Sequence, residues 1–109
     1  MIVGAAVVEL HVHGSQSLKQ KRGVVRSVVQ RLRNRFNVAV AEIGGQDTWQ
    51  RAVIGIAATG NDRRYVRGLL EKALTFVEET HLAEVIGSDI DMLEMCYEGA
   101  PSDDEPEEE

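Results

Sequence analysis

Apolar residues recur in this chain with two different periods, and the order in which those periods alternate restricts the fold more tightly than any single motif. From Ile2 to His13 the period is two. Val8, Leu10 and Val12 fall on one side and Val7, Glu9, His11 and His13 on the other, as in a half-buried strand. From Ser17 the period lengthens to that of a helix, with Leu18, Val25, Val28, Val29, Leu32 and Phe36 in one stripe. Ser17 and Gln20 have the spacing of a capping box, and Asn34 to Asn37 marks the exit. Two short strands follow, Asn37 to Ile43 and Arg51 to Ala58, and the two glycines and Asp47 between them suit a hairpin connection. Gly60-Asn61-Asp62 opens a second helix, capped by Asn61 or Asp62, whose stripe is Val66, Leu69, Leu70, Ala73, Leu74 and Val77. A fourth strand runs from Glu84 to Met95, where Ile90 and Met92 alternate against Asp89 and Asp91.

Strand, helix, strand, strand, helix, strand is the ferredoxin-like βαββαβ order. It predicts an α+β domain with a four-stranded antiparallel sheet, strands one and three central, and both helices on one face because βαβ crossovers are right-handed. The folded domain is expected over residues 1–97. Residues 98–109, with six acids among the last seven positions, are expected to form a disordered acidic tail. The run Ile2 to Val8 is too short to span a bilayer and no basic segment precedes it, so no membrane association and a cytosolic location are expected. The single cysteine, Cys96, excludes an intramolecular disulfide and a cysteine-based zinc cluster, and is expected to be a packing residue. No sequence neighbour activates it as a nucleophile, and no residue is assigned a catalytic role.

The net charge of -6 conceals a strong partition. Residues 73–109 carry thirteen acids and no base, whereas seven bases and no acid lie between Ser17 and Phe36. Three of those bases crowd the first turn of the first helix, where the dipole disfavours cations. Such a start suits an anion, and Lys19, Lys21, Arg22, Arg26 and Arg33 form the candidate anion- or RNA-binding set. The competing reading is a solvated face whose long side chains pair with acids of the last strand or the tail. Base stacking on the sheet is not expected, because its open positions hold Val7, Glu9, His11, Val53, Gly55 and Ala57 rather than aromatics.

Two helices cover one side of a sheet. The other side should present small apolar residues, among them Val7, Ala39, Ala41, Val53 and Ala57, as a homodimer or partner face. His11 and His13 point the same way along one strand, with Asp89 and Asp91 as candidate cross-strand partners. They are the only metal-ligand candidates, no third histidine is placed beside them, and no cofactor is assigned. Trp49 is expected to anchor the hairpin loop onto the core.

The strings SLKQKRGVV (Ser17 to Val25) and RFNVAVAE (Arg35 to Glu42), with Asp47 and Trp49-Gln50 after them, resemble the YlxP-like family of bacterial domains over about residues 1 to 95. The resemblance implies a ferredoxin-like fold. It also suggests work near the ribosome, since family members are often encoded beside translation initiation and ribosome maturation factors, and it carries over no catalytic residue. Taken together, the leading expectation is a non-catalytic binding or assembly factor that meets rRNA or a ribosomal particle through the basic helix. The alternatives are a dimeric module sensing a small anionic ligand, or a metal-dependent enzyme using His11 and His13.

Overall fold

The computed structural model describes residues 1–97 and 99. The elements are β1 (Ile2–His11), α1 (Leu18–Arg35), β2 (Ala39–Gly44), β3 (Arg51–Gly60), α2 (Arg63–Thr80) and β4 (Glu84–Glu94). All pairings are antiparallel and the sheet order is β2-β3-β1-β4, which puts β1 and β3 at the centre as expected for a ferredoxin-like α+β fold. The acidic tail expected over 98–109 lies, Gly99 apart, outside the described residues.

The core is built from the side of the sheet that the alternation of β1 selects. Ile2, Ala6, Val8 and Leu10 of β1, Val40 of β2, and Ala52, Ile54, Ile56 and Ala58 of β3 are all buried. They pack against Val25, Val28 and Leu32 of α1, spaced i, i+3, i+7, and Val66, Leu70, Ala73 and Val77 of α2, spaced i, i+4, i+7, i+11, the stripes of two amphipathic helices. Phe36 and Phe76 meet edge to face, ring centroids 5.6 Å apart.

Both helix starts are capped. The Ser17 hydroxyl accepts from the Gln20 amide at 3.1 Å, while the Gln20 side chain accepts from the Gln16 amide, one residue earlier than in a regular capping box. Asp62 is the cap of α2, accepting from the Arg64 and Tyr65 amides. Two features depart from expectation. Trp49 is exposed rather than packed on the core, because other bonds hold its loop: the Gln50 amide nitrogen donates to the Ser15 carbonyl, and the Gln50 carbonyl accepts from the Val12 amide. Cys96 is exposed as well, lying beyond the last residue of β4 rather than in the packed part of the strand.

Side chains of helix α2 pack directly over Gly4, where an added Cβ would lie 2.6 Å from Leu70 Cδ1 and 2.8 Å from Val66 Cγ1. Gly23, exposed on α1, has nothing within 4 Å of the same position. Gly4→Ala should therefore destabilise the domain by about 1–3 kcal/mol through overpacking, whereas Gly23→Ala should stabilise it by about 0.5–1 kcal/mol through backbone entropy. Denaturant unfolding of the two variants checks both signs.

Candidate anion-binding surface

The structure divides the five basic residues singled out from the sequence. Lys19, Arg22 and Arg26 are exposed on α1. Among the described residues none of the three makes an ion pair, and in particular none reaches the acids of β4. Arg33 is exposed too, but its guanidinium donates to the Val40 carbonyl of the edge strand β2 at 2.7 Å, which runs this flank of the helix along the β2 edge. Arg35 lies over the Phe76 ring at 5.2 Å.

Lys21 departs from the set. It is fully buried, and its ammonium donates to the Gly45 carbonyl at 2.5 Å and lies 3.4 Å from a Glu42 carboxylate oxygen. It is therefore not available to an external anion. The reason is geometric: Lys21, Val25, Val28 and Leu32 are spaced i, i+4, i+7, i+11, so Lys21 occupies the first rung of the buried stripe. Glu42 has the same parity on β2 as buried Val40, so the two charges meet between helix and sheet. Gly45 completes the arrangement at a positive φ of 77°, where a side chain would strike the Arg51 carbonyl at 2.6 Å. Among the described residues this buried Glu42 oxygen has no hydrogen-bond partner, and the Lys21 ammonium is the charge that compensates it.

The face of the sheet away from the helices is uncovered. Val7, Ala39, Ala41 and Ala57 are exposed and Val53 is half-buried, with Ile43 folded over the space that Gly55 leaves. Along the β4 edge, Asp89 and Asp91 each accept from the next residue's backbone amide. At one end Arg51 donates to Glu9 at 2.9 Å, and this carboxylate holds the guanidinium above its usual range through the hydrogen bond and its charge.

The cross-strand partners expected for His11 and His13 are not Asp89 and Asp91. Those pair with Val7 and Ala5, and the residue opposite His11 is Glu84. His11 Nδ1 lies 3.2 Å from His13 Nε2, which in turn lies 3.3 Å from Glu84 Oε2. His81, remote in sequence, lines the same cleft as His13 and Glu84.

The element order and the sheet define a small α+β domain of ferredoxin-like topology. Residues 3–90 match the family described as "Protein of unknown function (DUF503)", and the chain belongs to that family. It is 40% identical over 77 residues to "Uncharacterized protein YlxP" of Bacillus subtilis, covering 71% of this chain and 84% of that protein. Among solved structures it is similar to SnoaB, a cofactor-independent oxygenase from Streptomyces nogalater, with a TM-score of 0.48 and 14% identity over 85% of this chain and 92% of that one. It is also similar to a REP-associated tyrosine transposase bound to a REP hairpin, with a TM-score of 0.41 and 9% identity over 86% and 57% of the two chains.

Removing one partner of the buried pair leaves the other uncompensated, so Lys21→Met should cost about 3 kcal/mol, and adding Glu42→Leu should restore much of that loss. Equilibrium unfolding in guanidinium chloride distinguishes this from an inert pair, for which the single and double variants would match the parent.

Proposed function

We propose that this protein binds the phosphate backbone of structured RNA, such as rRNA in a ribosomal particle, through the outer surface of its helical layer. The observation that carries the reading is the segregation of charge between the two helices and the rest of the described residues. Eleven of the twelve lysines and arginines lie on α1 and α2, which together hold three acids, while the other described residues hold one base and eight acids. A field of that shape steers a polyanion onto one side of the molecule.

Lys19, Arg22, Arg26 and Arg33 fall within about 60° of one another around α1, at 100° per residue. The exposed members Lys19 and Arg26 are separated by about 10 Å along the axis at 1.5 Å per residue. An extended row matches successive phosphates better than it encloses a small metabolite. The small-anion alternative also loses its best ligand, because the Lys21 ammonium is internally bound. With no aromatic platform on the sheet, recognition rests on phosphate contacts and helix shape rather than base identity.

A second copy of the chain is the partner that suits the open sheet face. The band of Val7, Ala39, Ala41, Val53 and Ala57 is neutral, and the Arg51–Glu9 pair at its end is internally balanced. Two copies can therefore meet there without bringing their positive helical layers together, with Asp89 and Asp91 kept at the rim. The side chains of those aspartates already occupy backbone donors of β4, which disfavours strand addition at that edge.

Fluorescence anisotropy with a labelled RNA duplex tests the main proposal. Lys19→Ala/Arg22→Ala/Arg26→Ala should weaken binding and reduce the slope of log affinity against log salt by roughly 2–3. Equal affinity and slope for the triple variant and the parent would refute it. In sedimentation at tens of micromolar, the parent should run as a dimer and Val7→Asp as a monomer. A parent running solely at 12.0 kDa would refute self-association.

A further inference from the structure

We propose that His11, His13 and Glu84 form a binding site for a late first-row divalent cation, zinc above all, at the end of the sheet where β1 gives way to α1. The site is separate from the basic flank of α1 and stands or falls independently of it.

The three side chains come together through two local features. His11 is the last residue of β1 and His13 follows two positions later, so their imidazoles leave the chain on the same side. Glu84 opens β4, and it faces His11 only because the β1–β4 ladder shifts register between Glu9 and Leu10. Up to that point Glu9 pairs with Gly87; beyond it Leu10 pairs with Val85 and His11 with Glu84. Had Ile86 paired with Leu10 in an unbroken ladder, Val85 would stand opposite His11 and the Glu84 carboxylate would turn to the other face. A bulge of this kind re-aims a side chain, and here it aims a carboxylate at two imidazoles.

Two of the three ligand-atom separations match a coordination sphere, and a small rotation of the exposed Glu84 carboxylate would bring in the third. A metal bound at about 2.0–2.1 Å sets neighbouring ligand atoms roughly 3.0–3.4 Å apart, from octahedral to tetrahedral angles. The two closest contacts, His11 Nδ1 to His13 Nε2 and His13 Nε2 to Glu84 Oε2, are 3.2 and 3.3 Å. All three ligand atoms lie within 4.8 Å of one another. The two rings stand at 87° to each other, and the nitrogens brought together are His11 Nδ1 and His13 Nε2. Three lone-pair-bearing atoms thus converge where a single proton on His13 Nε2 would have two acceptors to share, and a cation satisfies all three.

The ligand chemistry names the metal class. Two imidazoles and one carboxylate suit zinc and its first-row neighbours, whereas magnesium and calcium take oxygen-rich sets. Three protein ligands leave a position open. Two of the three ligands, His13 and Glu84, also line a cleft of about 650 Å³ whose walls include Glu78 and His81. The side chains of His13 and Glu84 are 64% and 57% exposed, so ligand exchange with solvent is unhindered. Bound zinc would therefore carry water or an exogenous anion.

The full-length chain, freed of metal with a chelator, is titrated with Zn²⁺ in competition with a chromophoric zinc indicator. One equivalent should bind, and His11→Ala, His13→Ala and Glu84→Gln should each weaken that equivalent by at least about tenfold. Zn²⁺ should raise the melting temperature of the parent and leave that of His11→Ala/His13→Ala unchanged. Circular dichroism of the variants establishes that they are folded, and the exposure of these side chains makes that the expected result. Substitution with Co²⁺ reads the ligand set directly, since its visible absorption in the parent should be lost in the double variant. Failure of the parent to bind Zn²⁺ would overturn the proposal. So would binding by the double variant with the parent's affinity, which would assign the ion to an adventitious group such as Cys96.

Discussion

A four-stranded sheet with both helices on one side has two unlike surfaces, and the proposed RNA surface and the proposed self-association face both rest on that asymmetry. The residues that alternate toward the helices are aliphatic and form the core; those that alternate away are alanine, valine and glycine in the middle and charged at the margins. The helices carry eleven of the chain's twelve lysines and arginines, most of them on the surfaces turned away from the sheet, with Lys21 the buried exception. A neutral band and an acidic β4 edge then remain on the opposite side, so the molecule is electrically polarised across its own thickness.

One end of this arrangement is laced together by polar bonds. The Lys21 ammonium reaches from the first turn of α1 to Gly45 and Glu42 at the β2–β3 hairpin, and Gln50 ties the far side of that hairpin to Val12 and Ser15. The start of the basic helix is thereby fixed relative to the sheet, with Lys19 and Arg22 carried on a rigid first turn. A lysine that looks like part of the anion-binding set instead positions the rest of it. At the same end, the ladder irregularity in β1–β4 brings Glu84 under His11 and His13. Residues 14–17 connect those histidines to the helix, so the candidate metal cluster and the candidate RNA surface share a loop while using different side chains.

The sequence discloses the fold because both periodicities are clean, and the Ser17 cap and the Asp62 cap lie where their side-chain chemistry places them. The same periodicities also carried the signal for the buried ion pair. Lys21 belongs to the stripe of Val25, Val28 and Leu32, and Glu42 belongs to the buried parity of β2, so two opposite charges at core positions imply a pair. Read by charge alone, Lys21 joins its basic neighbours instead. The partner of His11 was not legible in the same way. It depends on a single extra residue in the β4 ladder, and nothing in the run Glu84 to Ser88 marks Ile86 as that residue before the register is seen. The exposure of Trp49 was hidden for a related reason: the loop is held by backbone and Gln50 contacts between segments distant in sequence.

The central claim is that the helical layer, and not the open sheet, receives the polyanion. Backbone amide NMR of the isotope-labelled protein during titration with a short RNA duplex tests it most directly. Shift changes should concentrate on α1 from Lys19 to Arg33 and on the first turns of α2, with Ala5, Val7, Val53 and Ala57 unmoved, and should fade as salt is raised. Changes centred on the sheet face, or none at any salt concentration, would contradict the account.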